Sequence, residues 1–175
     1  RPLVPMNKPV IECAGTVEAG DWGGEEQVVA DAQAVLDVAA RYIRSHESQP
    51  FPADPVEVSL LFTEDGPMAE INGQWRGKDK PTNVLSFPAF PIVPGDTPGP
   101  VLGDIVLARS TIEREAADLG KPVDHHISHL LVHGFLHLFG YDHIDAEDAR
   151  EMETLETRIL AELGLSDPYG GTDPL

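Results

Sequence analysis

Between Glu25 and Arg44 the apolar residues Val28, Val29, Ala32, Val35, Leu36, Ala39, Ala40 and Ile43 recur at steps of three and four, which predicts an amphipathic helix with one buried stripe. Pro50, Pro52 and Pro55 break the chain after it, and Val56 to Phe62 then alternates before turning continuously apolar, as a strand does. Met68 to Trp75 predicts a short helix ending near Gly77. Thr82 to Phe87 is β-rich and stops at Pro88, the Pro- and Gly-laden stretch 91–100 reads as a loop, and Leu102 to Ala108 reads as another strand. Ser110 is the expected N-cap of a helix ending at Gly120, and Pro122 introduces a further helix over Asp124 to Phe139. Ala146 to Leu163 places Met152, Leu155, Ile159 and Leu163 on one helical face, and the tail from Ser166 is expected to fray.

Helices and strands in this irregular order predict an α+β domain, a small mixed β-sheet covered by helices. The chain has 175 residues, enough for one ordinary core. The domain is placed at residues 6–165, with 1–5 read as a remnant ahead of a natural start at Met6 and 166–175 as a C-terminal tail. No apolar run approaches the roughly 18 residues of a membrane span, so a soluble protein without a membrane partner is expected. A single cysteine, Cys13, cannot form an intrachain disulfide and points to a reducing compartment, the cytoplasm.

Charge complicates any assignment to nucleic acid. Thirty acidic residues against 12 basic ones leave a net charge of −18, the opposite of the usual profile of a nucleic-acid binder. Yet Arg76, Lys78 and Lys80 concentrate three of those 12 bases within five residues.

The chemistry lies in His133-Gly134-Phe135-Leu136-His137-Leu138-Phe139-Gly140-Tyr141-Asp142-His143, which has the form H-x-x-x-H-x-x-G-x-x-H. Residues four apart on a helix differ by about 40° in direction and stand about 6 Å apart along the axis, so His133 and His137 share a face. Gly140 falls where a helix end commonly adopts positive φ, allowing the chain to reverse and return His143 toward the other two. Three imidazoles around a tetrahedral divalent ion leave one position open, as a catalytic site requires. Zn2+ suits such a donor set, although nickel and copper also accept imidazole.

Metzincin proteases share this spacing, but their glutamate after the first histidine serves as general base, and here that position is Gly134. A metalloprotease is therefore the lesser alternative. His129, one turn before His133, is expected to make a supporting or interhelical hydrogen bond, while His46, His125 and His126 read as exposed or packing residues. Asp104 reads as a structural turn carboxylate in preference to a group beside the metal.

The histidine motif, with Arg76-Gly77-Lys78-Asp79-Lys80-Pro81-Thr82-Asn83-Val84-Leu85-Ser86-Phe87-Pro88 and Leu102-Gly103-Asp104-Ile105, closely resembles the bacterial YbeY family from the first helix to about Leu163. The resemblance implies a metal-dependent endoribonuclease with a zincin-like ligand arrangement. Its substrate would be single-stranded RNA, and its roles maturation of ribosomal RNA, notably the 3′ end of the small-subunit species, and ribosome quality control. It implies His133, His137 and His143 as zinc ligands and Arg76 as a functionally important arginine, and with them the catalytic set.

A guanidinium at Arg76 would clamp the scissile phosphate through paired hydrogen bonds, with Lys78 and Lys80 widening the positive field. Because a metal lowers the pKa of bound water, no dedicated carboxylate base is required, and Gly134 either admits the RNA backbone or packs against a neighbouring element. The acidic net charge predicts that a ribosomal particle or ribosomal proteins help to place the RNA, and DNA is not an expected partner. A non-catalytic ribosome-assembly factor with a structural metal is the alternative from a different class.

Overall fold

The computed structural model describes residues 7–77 and 80–169. In chain order these form β1 (Ile11–Val17), α1 (Glu25–His46), β2 (Val56–Thr63), α2 (Asp65–Arg76), β3 (Val84–Pro88), β4 (Val101–Ala108), α3 (Arg109–Leu119), α4 (Val123–Leu138) and α5 (Ala146–Glu162). The strands make one sheet in the order β1-β2-β4-β3, with β1, β2 and β4 parallel and the edge strand β3 antiparallel to β4. The domain is α+β with a mixed sheet. No described helix is long and apolar enough to cross a membrane.

Strand β1 was not among the elements expected from the sequence. Its inward positions, the buried Ile11 and the half-buried Cys13, Gly15 and Val17, do alternate, but a glycine and a cysteine dilute the apolar pattern. Its parallel ladder to β2, from Ile11 opposite Val56 to Val17 opposite Phe62, supplies what its side chains do not advertise.

The period of two sorts the sheet into unequal faces. Val58, Leu60 and Phe62 of β2 and Ile105 and Leu107 of β4 enter the main core with Leu36, Ala39 and Ile43 of α1 and Phe135 and Leu136 of α4. Val106 and Ala108 of β4 point the other way and pack with Leu85 against Met68 of α2. Helix α2 thus lies on the sheet face opposite α4. Asp104 shares that outward phase in the middle of β4, opposite Ser59 and Phe87, and is exposed. It is neither a turn residue nor a neighbour of the histidines, because strand alternation sends its side chain to the far face.

The start of α3 also departs from expectation. Strand β4 runs directly into the helix, so the N-cap is Ala108, which has no side chain to offer. Ser110 therefore lies inside the first turn, and the cap comes from elsewhere in the chain. Glu64 accepts from the Ser110 amide at 2.7 Å and its hydroxyl at 2.8 Å, and Asp65 accepts from the Thr111 amide at 3.1 Å and its hydroxyl at 2.7 Å. Two carboxylates at a helix N-terminus satisfy orphan donors and complement the helix dipole.

Helix α4 is buried almost all round, with Ile127, Leu130, Leu131, Val132, Phe135, Leu136 and Leu138 all buried. Such a helix is central to its domain, and any polar side chain on it must find a partner. Gly134 faces the sheet, where a Cβ would stand 2.9 Å from Ser86 Oγ and 3.1 Å from Ile105 Cγ2. Ser86 Oγ donates to the Gly134 carbonyl at 3.2 Å. The small residue at 134 is thus explained by packing of α4 on β3 and β4, and the alternative that it admits an RNA backbone is set aside.

Candidate metal centre

Helix α4 ends as its sequence suggests. Gly140 takes φ 98°. Its amide donates to His137 O at 3.0 Å while the Tyr141 amide reaches back to Leu136 O at 3.2 Å, the paired bonds of a Schellman motif. Glycine is required twice over at this position, since a Cβ would also collide with the carbonyl oxygen of Ile92 in the loop passing beneath. The reversal brings His143 back beside the helix.

Each of His133, His137 and His143 offers one ring nitrogen within 4.8 Å of the others, close enough to hold a metal ion. His133 Nε2 and His137 Nε2 are 3.1 Å apart. The His143 ring centroid lies 5.6 Å from that of His133 and 5.1 Å from that of His137. His143 is exposed and the other two are half-buried, so the cluster opens to solvent on the His143 side.

Hydrogen bonds to the remaining nitrogens decide where the lone pairs point. Glu156 Oε2 lies 3.3 Å from His133 Nδ1, so a carboxylate acceptor favours the tautomer with its proton on Nδ1, the one that frees Nε2 for a metal. The Tyr141 backbone accepts from the His137 ring. Burial, then the His133 and His143 rings, pull the His137 pKa down to about 4, so it stays neutral at physiological pH. His133 Nε2 and His137 Nε2 face one another across 3.1 Å, an arrangement that a shared cation would bridge. The donor set fits a borderline divalent metal, zinc among them.

Glu156 is the residue that inspection of the sequence missed. Fully buried on α5, it receives His129 Nε2 at 2.6 Å and Tyr169 Oη at 2.8 Å on one oxygen while facing His133 with the other. Burial alone would raise its carboxyl, but the His129 and His133 hydrogen bonds outweigh it and hold the pKa at about 2. Burial pushes His129 down and, with Glu156, pushes the Tyr169 phenol up. The clue was position: Glu156 falls between Met152 and Ile159 on the apolar face of its helix, where an acid needs a buried partner.

The supporting role expected of His129 is observed. His126 is buried and bonds Glu115 Oε1 at 2.8 Å, His46 stacks on Tyr42, and His125 is exposed. The tail is tied down as far as Tyr169, whose amide donates to Asp167 Oδ1 at 2.8 Å; the expected fraying at 166–169 is thus replaced by docking on α5.

Arg76 is the last residue of α2, exposed, next to the left-handed cap Gly77. Lys80 is exposed and its carbonyl accepts from Asn72 Nδ2 at 2.8 Å, whereas Lys78 lies outside the described residues. The structure brings the three histidines together; among the described residues no hydrogen bond or ion pair links Arg76 or Lys80 to them.

Residues 23–164 match the family model described as Endoribonuclease YbeY. A relative from Agrobacterium fabrum named endoribonuclease YbeY is 62% identical over 160 residues, covering 91% of this chain and 95% of its own. One from Sinorhizobium fredii with the same name is 60% identical, covering 89% of this chain and 90% of its own. The solution structure of TM1509 from Thermotoga maritima superposes with a TM-score of 0.52 at 21% identity, over 89% of this chain and 99% of that one, a likeness of fold. With four-fifths of its length inside the family model and such relatives along most of it, the chain belongs to the endoribonuclease YbeY family.

Proposed function

We propose that this protein is a metal-dependent, single-strand-specific endoribonuclease acting in ribosomal RNA maturation, at the 3′ end of the small-subunit RNA, and in ribosome quality control in the cytoplasm. Family membership makes RNA the substrate class. The observation that carries the metal dependence is the 3.1 Å approach of His133 Nε2 and His137 Nε2, with His143 as third donor.

These three residues hold the ion, which we take to be zinc. When bound, it supplies Lewis acidity, lowering the pKa of a water and polarising a phosphoryl oxygen. The chain's own residues do the rest. Glu156 keeps the His133 ring proton on Nδ1, the side away from the shared centre. Arg76 binds a phosphate oxygen pair of the RNA, and Lys78 and Lys80 add positive potential beside it. Among the described residues the one carboxylate bonded to this cluster, Glu156, addresses the Nδ1 side of His133, away from Nε2, which disfavours the protease reading.

The net charge of −18 repels free RNA at long range, although screening over about 8 Å at physiological salt lets a local basic rim act. Affinity for naked RNA is therefore modest and falls with salt, and a ribosomal particle or its proteins deliver the substrate.

The test pairs metal analysis with cleavage. Parent protein binds one zinc and cleaves single-stranded RNA; His137→Ala loses both. RNA cleavage that survives His137→Ala unchanged would remove the metal from the reaction and favour a binding role in ribosome assembly.

A further inference from the structure

Behind His133 the buried Glu156 and His129 and the half-buried Tyr169 form a connected hydrogen-bonded chain. Glu156 Oε2 faces His133 Nδ1 at 3.3 Å. Its other oxygen takes His129 Nε2 at 2.6 Å and Tyr169 Oη at 2.8 Å. Tyr169 also stands edge-on to the His129 ring, with centroids 5.4 Å apart. A carboxylate with no surface exposure, held by three donors from α4 and the segment after α5, has almost no freedom to move.

That rigidity has a direction. An ionised carboxylate only accepts, so every group bonded to it must present a proton. A metal-binding His133 then carries its one proton on Nδ1 and keeps Nε2, the nitrogen that faces His137 Nε2, free for the ion. We infer that Glu156 is the positioning residue of the metal centre, fixing the tautomer and orientation of His133, with His129 and Tyr169 anchoring the carboxylate in turn. Carboxylate–histidine–metal arrangements raise ligand basicity and orient the ring, and losing the outer partner typically costs 10- to 100-fold in metal affinity. The inference rests on reading His133, His137 and His143 as ligands.

Two alternatives make different predictions. A merely structural carboxylate would lower the melting temperature when replaced, but leave the zinc affinity of the folded molecules and the nitrogen shifts of His133 unchanged. A positioning carboxylate moves both.

Glu156→Gln is nearly isosteric, but its amide oxygen cannot accept in place of both carboxylate oxygens. Zinc affinity, read by competition with a chromophoric chelator, is expected to fall roughly 10- to 100-fold in this variant. Histidine 15N spectra of the zinc-loaded parent should show the His133 proton on Nδ1, and the variant should lose or shift that signal. An affinity within twofold of the parent with an unchanged His133 signal overturns the proposal. His137→Ala separates the two readings: if it binds zinc like the parent, the metal centre itself is misassigned, whereas if it fails to bind while Glu156→Gln binds normally, only the positioning role falls. Should Glu156→Gln not fold, Tyr169→Phe keeps the carboxylate and removes one donor. It is expected to weaken zinc roughly twofold or more and shift the His133 signal, and no change in either would overturn the inference.

Discussion

The carbonyl oxygen of Ile92 occupies the space that a Cβ on Gly140 would need, so the loop before β4 and the turn after α4 are packed backbone to backbone. This contact adds to the positive φ of 98° at Gly140. Gly140→Ala therefore suffers twice, from left-handed strain of about 1–2 kcal/mol and from displacement of one chain by the other. We expect a loss of at least about 2 kcal/mol in unfolding free energy, measured by denaturant titration. Zinc affinity should fall roughly tenfold or more, equivalent to about 1.4 kcal/mol, because His143 is delivered by this turn. A variant of normal stability and normal zinc affinity would show that the turn does not set the third ligand.

Acid should act on the metal-free protein in two windows. The His137 pKa is lowered from 6.5 to about 4, so between those values the unfolded chain takes up a proton that the folded one refuses. Stability is then lost as pH falls from 6.5 toward 4. The Glu156 pKa is lowered from 4.5 to about 2, and its contribution is present above 4.5 and disappears as pH falls toward 2. Thermal melts of apoprotein across this range should fall throughout, and His137→Gln should reduce the loss in the upper window, to which the likewise lowered His129 also contributes, while leaving the lower one. Equal melting temperatures at pH 7 and pH 5 in the metal-free parent would contradict the burial of His137.

Much of this site is legible in the residues themselves. The spacing of His133, His137, Gly140 and His143 encodes both the shared helix face and the reversal, because each rests on local backbone geometry. Glu156 and the cap on Ser110 are not legible in this way. The histidine partners of Glu156 lie 23 and 27 residues distant and Tyr169 13, and Glu64 meets Ser110 across 46 residues. Such pairings are set by which helices become neighbours, and no local propensity reports that. Strand β1 is hidden for a related reason: its stability comes from the ladder to β2 more than from its own side chains.

Restoring the metzincin glutamate is a sharp test of why Gly134 is small. The side chain at 134 points at Ser86 and Ile105 of the sheet, away from the metal side of α4. Gly134→Glu should therefore gain no peptidase activity. It should instead lose about 1–3 kcal/mol or more through overpacking and burial of an unpaired carboxylate, seen as a lowered melting temperature. Peptide cleavage dependent on this change would mean that α4 can rotate its glycine toward the metal centre.

Arg76 provides the clearest separation of substrate handling from metal binding. It is exposed at the C-terminal end of α2, with no bonded link to the histidines among the described residues. Arg76→Glu should leave unfolding free energy within about 0.5 kcal/mol of the parent and zinc content unchanged. If Arg76 holds the phosphate, cleavage of single-stranded RNA should nonetheless drop by at least roughly a hundredfold, since a paired donor to developing charge is replaced by a repelling carboxylate. The loss should persist at saturating RNA if the contact acts in the transition state, and should shrink with added RNA if it only aids binding. Undiminished cleavage would place the phosphate clamp on another residue, and loss of zinc together with activity would show that the loop after α2 supports the metal centre after all.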